Sequence, residues 1–255
     1  MDPRIREHAE VLVDHCTDVE RGDNVLVTGG PKAEDLLVAI NELCGERGAV
    51  TSVSMTSKRA RRAYMRAVDE DDIALNEMGL ARIEAADVVI GVRAPENVTE
   101  TSDVPPAKTQ RRSAENKPIQ QEHLDTRWNG TQYPTAAAAQ KAEMSTEAYE
   151  EFVWNAVNKD WDAVREHQAQ LVDILDDADE VRIVSGETTD VTMSVAGNVV
   201  QNDYGEHNMP GGEVFTAPVA DSVEGEVLFD KPVMAQGREV TDARLVFEDG
   251  EGVEH

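Results

Sequence analysis

Basic residues, cysteine and aromatic residues are all scarce in this chain of 255 residues. There are 24 Lys and Arg against 51 Asp and Glu, which gives a formal net charge of -27, and only seven of the basic residues are Lys. A field of this sign repels the phosphate backbone of nucleic acids, so we do not expect a nucleic-acid partner. Dispersed acid with little Lys is typical of proteins adapted to high salt, where mobile ions screen the repulsion. We therefore predict a halophilic protein, and the alternative is an ordinary acidic enzyme.

Long apolar runs are also lacking. The first ten residues carry several charges, and no later run reaches the roughly 18 apolar residues of a membrane-spanning helix. Cys16 and Cys44 lie on apolar helical faces without a C-x-x-C motif, which favours small buried side chains over a metal or redox site. Hydrophobic residues make up 40% of the chain, enough for a buried core. We expect a globular, cytoplasmic protein with no membrane partner.

The first half of the chain alternates strands with helices. A helix that starts at Asp2-Pro3 is followed by a short apolar run over residues 24–28, a second amphipathic helix and a strand over residues 49–55. This order predicts a parallel sheet flanked by helices. The continuous apolar run over residues 87–92 predicts a strand in the middle of that sheet. Residues 128–134 are rich in turn formers and are predicted to be a connector.

Two features of this half are candidates for anion binding. Gly29-Gly30 follows the first strand, but the chain has neither a G-x-G-x-x-G motif nor a Walker lysine-serine pair. Arginines at positions 59, 61, 62 and 66 form a basic patch, and the acidic run of residues 69–72 follows directly. We predict an exposed face neutralised by these acids.

The composition changes at Glu180. Two predicted helices, over residues 135–144 and 145–177, precede it, and short β-branched runs follow with no further helical periodicity. Two of these runs, residues 191–195 and 198–202, are predicted to form a hairpin. The fold class is therefore α/β with two domains: residues 1–179 with a mostly parallel sheet flanked by helices, and residues 180–255 as the start of a β-rich, α+β domain.

One stretch combines a special backbone with a candidate metal ligand: Asn208-Met209-Pro210-Gly211-Gly212-Glu213-Val214-Phe215-Thr216-Ala217-Pro218. Its single acid follows two glycines and precedes a strand-like run, where backbone turns into sheet. This stretch resembles the signature of the aminopeptidase S and aminopeptidase T family of metallo-aminopeptidases, first recognised in thermophiles. A second stretch, residues 133–161 with Tyr149-Glu150-Glu151-Phe152 and Asp160-Trp161, resembles the same family in the same order.

The resemblance carries specific expectations. It implies that Glu213 coordinates a metal, that the complete site holds two divalent ions of Zn, Co or Mn, and that the substrate is a peptide cleaved at its N-terminal residue. It implies a homodimer for the complete protein. The resemblance covers the whole chain but not the C-terminal part of a family member. We therefore expect residues 180–255 to be the N-terminal portion of an incomplete, truncated catalytic domain, and the chain alone to be inactive or incomplete.

The residues themselves leave other classes to weigh. The chain has no H-E-x-x-H, G-x-S-x-G or S-x-x-K motif, which argues against a one-motif zinc protease and a serine hydrolase. A nucleotide- or sugar-binding α/β module without catalysis, and a remnant of an aminopeptidase, are the open alternatives. Catalytic and substrate-binding residues are unassigned. Four of the scattered histidines are predicted to be surface or capping residues: His8, His15, His123 and His167. His207 is close to Glu213 in sequence and could touch a metal, although the family that the chain resembles has no ligand there, and His255 has no assigned role.

Overall fold

The chain divides into two compact units in a computed structural model that describes residues 2–235 and 238–254. The first unit comprises Met1–Asp160 and Gly205–Gly211, and the second comprises Trp161–Tyr204 and Gly212–His255. The helix Trp161–Asp176 packs as part of the second unit. The predicted domain boundary, between residues 179 and 180, instead places this helix in the first domain. Where the functional domains divide stays a prediction.

The first unit is built on a five-stranded sheet in which every neighbouring pair is parallel. Its strands are β1 Asn24–Gly29, β2 Val50–Met55, β3 Val88–Arg93, β4 Arg127–Gln132 and β8 Asn208–Met209. They lie in the order β2-β1-β3-β4-β8. The α/β class predicted from the alternating pattern is therefore confirmed.

Helices connect these strands. The first begins where the sequence indicates, because the Asp2 carboxylate accepts a hydrogen bond from the Arg4 N–H at 2.9 Å and Pro3 takes the first helical position. Among the described residues, no helix is both long and apolar enough to cross a bilayer. The helices are α1 Pro3–Glu10, continued by a π-helical stretch Val11–Cys16, α2 Glu34–Arg47, α3 Lys58–Ala67, α4 Glu77–Glu84, α5 Pro106–Glu115, α6 Lys117–Asp125, α7 Ala136–Lys141 and α8 Thr146–Val157.

The core of the first unit lies around β1, β3 and α2. Val27 and Ile90 on neighbouring strands have no exposed surface, and neither have Leu36 and Ile40 of α2. Burying each of these side chains contributes about 1.5–3 kcal/mol to stability. The apolar run over residues 87–92 was predicted to lie in the middle of the sheet, and β3 does so.

The predicted connector at residues 128–134 is wrong, because most of it is strand β4. Two polar side chains on this strand, Asn129 and Thr131, are buried. The Asn129 Nδ2 donates to the Gly205 carbonyl at 2.9 Å, and the Thr131 hydroxyl donates to the Met209 carbonyl at 3.0 Å. These hydrogen bonds offset part of the cost of burying a polar strand. Their acceptors lie far along the chain, so the sequence pattern gave no sign of them.

The second unit is rich in antiparallel strands, as predicted. Its elements are α9 Trp161–Asp176, β5 Glu180–Ser185, β6 Thr189–Ser194, β7 Gln201–Asp203, β9 Glu213–Phe215, β10 Glu224–Phe229, β11 Val233–Ala235, β12 Arg238–Val240, β13 Ala243–Glu248 and β14 Glu251–Glu254. Its main sheet has the order β14-β13-β10-β6-β5. The predicted hairpin is wrong, because β6 pairs with β5 and β10, whereas β7 pairs with β9 in a separate ladder.

Candidate metal centre

The signature stretch is where the chain passes from the first unit to the second. Asn208 and Met209 form β8, which pairs with Gly130 and Thr131 of β4 at the edge of the parallel sheet. The first unit ends at Gly211 and the second resumes at Gly212. Glu213 therefore opens β9 directly after this passage.

The two glycines before Glu213 are required by the backbone. A Cβ atom added to Gly211 would lie 2.6 Å from the Gly205 nitrogen and 3.0 Å from the Asn208 carbonyl oxygen, closer than real contacts allow. Gly212 has φ of 99°, in the region that side chains disfavour. Both positions of the pair therefore favour glycine, directly before Glu213 in the chain.

Glu213 has one acidic neighbour across the β7–β9 ladder. The register sets Asp203 opposite Glu213, and opposed residues on antiparallel strands hold their Cβ atoms about 4.5–5.5 Å apart on one face. Glu213 is exposed, whereas Asp203 is 9% exposed. The Gly212 N–H donates to the Asp203 carbonyl at 2.9 Å and ties the two strands together. The sequence did not single out Asp203, because strands as short as β7 and β9 carry no signal of their partner.

Two carboxylates do not complete a metal site. A tightly held catalytic zinc takes three protein ligands, and a pair of ions needs more donors than that. Over residues 2–235 and 238–254, no group of three His, Cys, Asp or Glu side chains could hold a metal ion. The donors that the structure describes therefore do not make up a dinuclear centre.

Other acids of the second unit have structural partners. Asp190 accepts hydrogen bonds from the Arg182 guanidinium at 2.8 and 2.6 Å, which lower the pKa of its carboxyl. Glu226 pairs with Arg244 on the neighbouring strand β13. Glu224 accepts a backbone N–H from the turn after β13 at 2.8 Å. These carboxylates hold strands together.

The histidine nearest to Glu213 in sequence, His207, belongs to the first unit. Its ring stacks on Trp128 with centroids 4.9 Å apart and an interplanar angle of 13°. His123 packs on the same indole at 4.9 Å, and its burial lowers the pKa of the imidazole. The rings of His207 and His123 are therefore engaged in aromatic packing. His255 lies outside the described residues.

His8 is the one candidate in the described residues that the structure moves from the surface to the core. It is fully buried, and its Nε2 lies 2.7 Å from the Thr131 hydroxyl oxygen. Because Thr131 donates its proton to Met209, the imidazole donates to Thr131 through Nε2–H. Burial lowers the pKa of His8 to about 3, so the ring is neutral at physiological pH. The prediction of a surface or capping role for His8 was wrong.

Comparison with known families decides the class of protein. A family model described as "Thermophilic metalloprotease (M29)" matches residues 1–255. The chain belongs to this metalloprotease family. By family it is a metallo-aminopeptidase, a hydrolase that acts on peptides. The predicted family is confirmed.

A solved structure has the same fold. Wild-type AmpT from Thermus thermophilus matches this family member with a TM-score of 0.82 and 21% sequence identity, over 99% of this chain and 70% of that chain. At this identity the likeness shows the fold. A CurK enoyl reductase is 15% identical over 60% of this chain and 50% of its own, and a cysteine desulfurase from Thermococcus onnurineus NA1 is 9% identical over 76% and 62%. Both have TM-scores of 0.27 and carry no argument. No curated protein matches the sequence.

Proposed function

We propose that this metallo-aminopeptidase removes N-terminal residues from peptides with two divalent ions, Zn, Co or Mn, in its complete site, and that Glu213 is one of their ligands. The position of Glu213 supports the assignment, since it opens a strand directly after the glycine pair in the signature stretch. Its side chain is exposed and stands opposite Asp203, so an ion could reach it and meet a second oxygen donor.

We also propose that the 255-residue chain has little aminopeptidase activity by itself. Glu213 and Asp203 together offer two carboxylates, fewer than the three protein ligands of a single catalytic zinc site. A water activated between two ions needs both ions held firmly. The remaining donors must come from outside the set of residues that the structure describes.

Activity and metal binding test the two proposals separately. The purified chain is assayed on an amino-acid amide and a short peptide with Co²⁺, Zn²⁺ or Mn²⁺, with a chelator as blank. We expect little turnover. A second protein carries, fused after residue 255, the C-terminal segment that the family resemblance implies, and should gain chelator-sensitive cleavage. Robust metal-dependent turnover by the unfused chain would overturn the proposed inactivity.

Glu213→Gln in the fusion tests the ligand assignment. The amide keeps the shape of the side chain but removes its charge, so metal-dependent cleavage should be abolished. Glu187→Gln, in an exposed turn of the second unit, makes the same change in charge and should leave cleavage as it was. If the two variants cleave equally well, Glu213 is not a ligand.

Three further proposals rest on the sequence. High-salt adaptation is supported by the net charge of -27. The homodimer and the cytoplasmic location come from the family resemblance and the composition. Sedimentation of the fusion protein tests the homodimer, and a monomer at micromolar concentration would contradict it. Fractionation of the source cells tests the cytoplasmic location, and a protein found in the cell envelope would contradict it.

A further inference from the structure

A cavity of about 450 Å³ opens at the carboxyl ends of the parallel strands in the first unit. Each of four strands contributes a lining residue at or just beyond its carboxyl end: Gly30 after β1, Thr56 after β2, Arg93 in β3 and Gln132 in β4. The chain runs from β1 outward to β2 and then returns to the other side of β1 for β3, so the strand order reverses there. In open parallel sheets small ligands bind in the crevice at such a reversal.

Cations dominate the charge of this crevice, although the chain as a whole carries -27. Lys58, Arg59, Arg61 and Arg93 line it. Within the part of the chain that the structure describes, none of the four makes an ion pair. Two carboxylates, Glu96 and Glu100, also line the crevice, so the cations outnumber the acids there.

The basic patch of α3 is thus divided between two faces. Arg62 donates to an Asp103 carboxylate oxygen at 2.6 Å, and Arg66 reaches the same carboxylate at 3.3 Å. These hydrogen bonds and charges lower the pKa of Asp103. The predicted neutralisation by residues 69–72 is wrong, because Asp103 takes that role and only for this side of the helix. Arg59 and Arg61 are directed to the crevice instead.

The backbone around the crevice suits an anion as well. A Cβ atom on Gly30 would lie 3.2 Å from the Ala94 carbonyl oxygen, so a glycine lets the loops after β1 and β3 approach closely. Helix α3 begins at Lys58, which is on the cavity wall, and Ser57 caps it by accepting the Ala60 N–H. The first turn of a helix adds partial positive charge to that of the side chains.

A second cavity of about 650 Å³ adjoins the first and shares Thr56 and Arg61 with it. Its walls include the apolar side chains of Leu26, Met65 and Ile83. Both volumes are typical of small-molecule sites, which combine apolar walls with a few placed polar groups. A ligand anchored by an anionic group beside Arg61 can therefore extend an apolar or planar group over the neighbouring wall.

We propose that this crevice binds the phosphate group of a small phosphorylated molecule, with Arg59, Arg61 and Arg93 on the phosphate and the sugar or base extending toward the adjoining cavity. Guanidinium groups bind phosphate by paired hydrogen bonds, which suits three arginines on a common wall. The proposal does not depend on Glu213 or on metal, and the site lies wholly within the first unit.

Calorimetric titration of the full chain tests the site, at one fixed ionic strength with a chelator present. The probes are adenosine 5′-monophosphate, ribose 5-phosphate and inorganic phosphate, and sodium sulfate serves as a charge control. We expect saturable binding of the phosphate esters. Tighter binding of the nucleotide than of ribose 5-phosphate supports a base in the adjoining cavity. Equal binding of the two supports a sugar phosphate and overturns the extension. The proposed site is refuted if no phosphate compound binds at 10 mM, a concentration that detects even weak binding. It is also refuted if the phosphate compounds bind no more tightly than sulfate.

Variants that remove either a positive or a negative charge from the cavity wall make the test specific. Arg59→Gln combined with Arg61→Gln should weaken binding of the best probe by about tenfold or more, since charge-assisted hydrogen bonds are lost. Glu96→Gln removes a negative charge from the same wall and should strengthen it by about twofold. Arg111→Gln, on α5 and outside both cavities, should leave binding unchanged. If Arg111→Gln weakens binding as much as the double variant, the effect is one of net charge and the site is refuted.

Discussion

The buried His8 makes a sharp prediction about acid stability. Its folded pKa is about 3, against an ordinary value of 6.5, because the ring is enclosed among Thr131, Trp154 and the β4–β8 edge of the sheet. Between pH 3 and pH 6.5, therefore, His8 binds a proton in the unfolded chain but not in the folded chain. The sign follows directly: stability is fully present above pH 6.5 and is lost as the pH falls toward 3.

The magnitude comes from the width of that window. Between pH 7 and pH 4.5, linkage to this one group should remove roughly 2–3 kcal/mol from the free energy of unfolding, since one pKa unit corresponds to about 1.4 kcal/mol. That is a large part of the ~5–15 kcal/mol that stabilises an ordinary domain. Urea unfolding followed by tryptophan fluorescence at several pH values measures it.

His8→Gln isolates the effect. The glutamine amide can still donate to Thr131 but does not titrate, so the variant should lose roughly 2–3 kcal/mol less than the wild type between pH 7 and pH 4.5. Carboxylates titrate in both proteins, so their contributions to the pH dependence of stability cancel when the two profiles are subtracted. His167→Gln, exposed on α9, is the control and should follow the wild type. Parallel pH profiles for wild type and His8→Gln would refute the buried, neutral imidazole.

Two further predictions concern charge and backbone. With chelator present, the melting temperature should rise by several degrees from 0.1 M to molar NaCl, where the Debye length falls from ~10 to ~3 Å, and an unchanged value would contradict the halophilic assignment. Gly211→Ala should cost about 1–3 kcal/mol, because its Cβ would meet the Gly205 backbone. Gly45→Ala, in helix α2 with nothing near the added methyl, should instead stabilise by about 0.5–1 kcal/mol. Urea midpoints of the two variants should therefore move in opposite directions, and a shared direction would contradict the proposed crowding.

Sequence patterns predicted what depends on neighbours along the chain. The apolar run of β3 and the cap at Asp2 are local signals, and both were confirmed. Strand β4 was missed because its polar Asn129 and Thr131 are satisfied by carbonyl groups more than 70 residues later. The pattern over residues 128–134 could not show those partners.

In the candidate sites, too, the sequence predicted some residues and missed others. Glu213 was found through its motif, whereas Asp203 depends on the pairing of two three-residue strands. The proposed phosphate crevice depends on sheet order, which brings Lys58 of helix α3 and Arg93 at the end of strand β3 to one wall. A sequence shows which residues are basic, but the topology decides which of them share a cleft and which meet an acid.

Strand β8 has a consequence for how the protein is synthesised. The last strand of the first sheet lies within residues 205–211, so the ribosome must make α9 and strands β5 to β7 before it can supply β8. Until then the nascent chain carries Asn129 and Thr131 without their carbonyl acceptors and leaves β4 as an open edge. The first unit is thus interrupted by part of the second, and a fragment cut at residue 160 would retain that open edge for its whole lifetime.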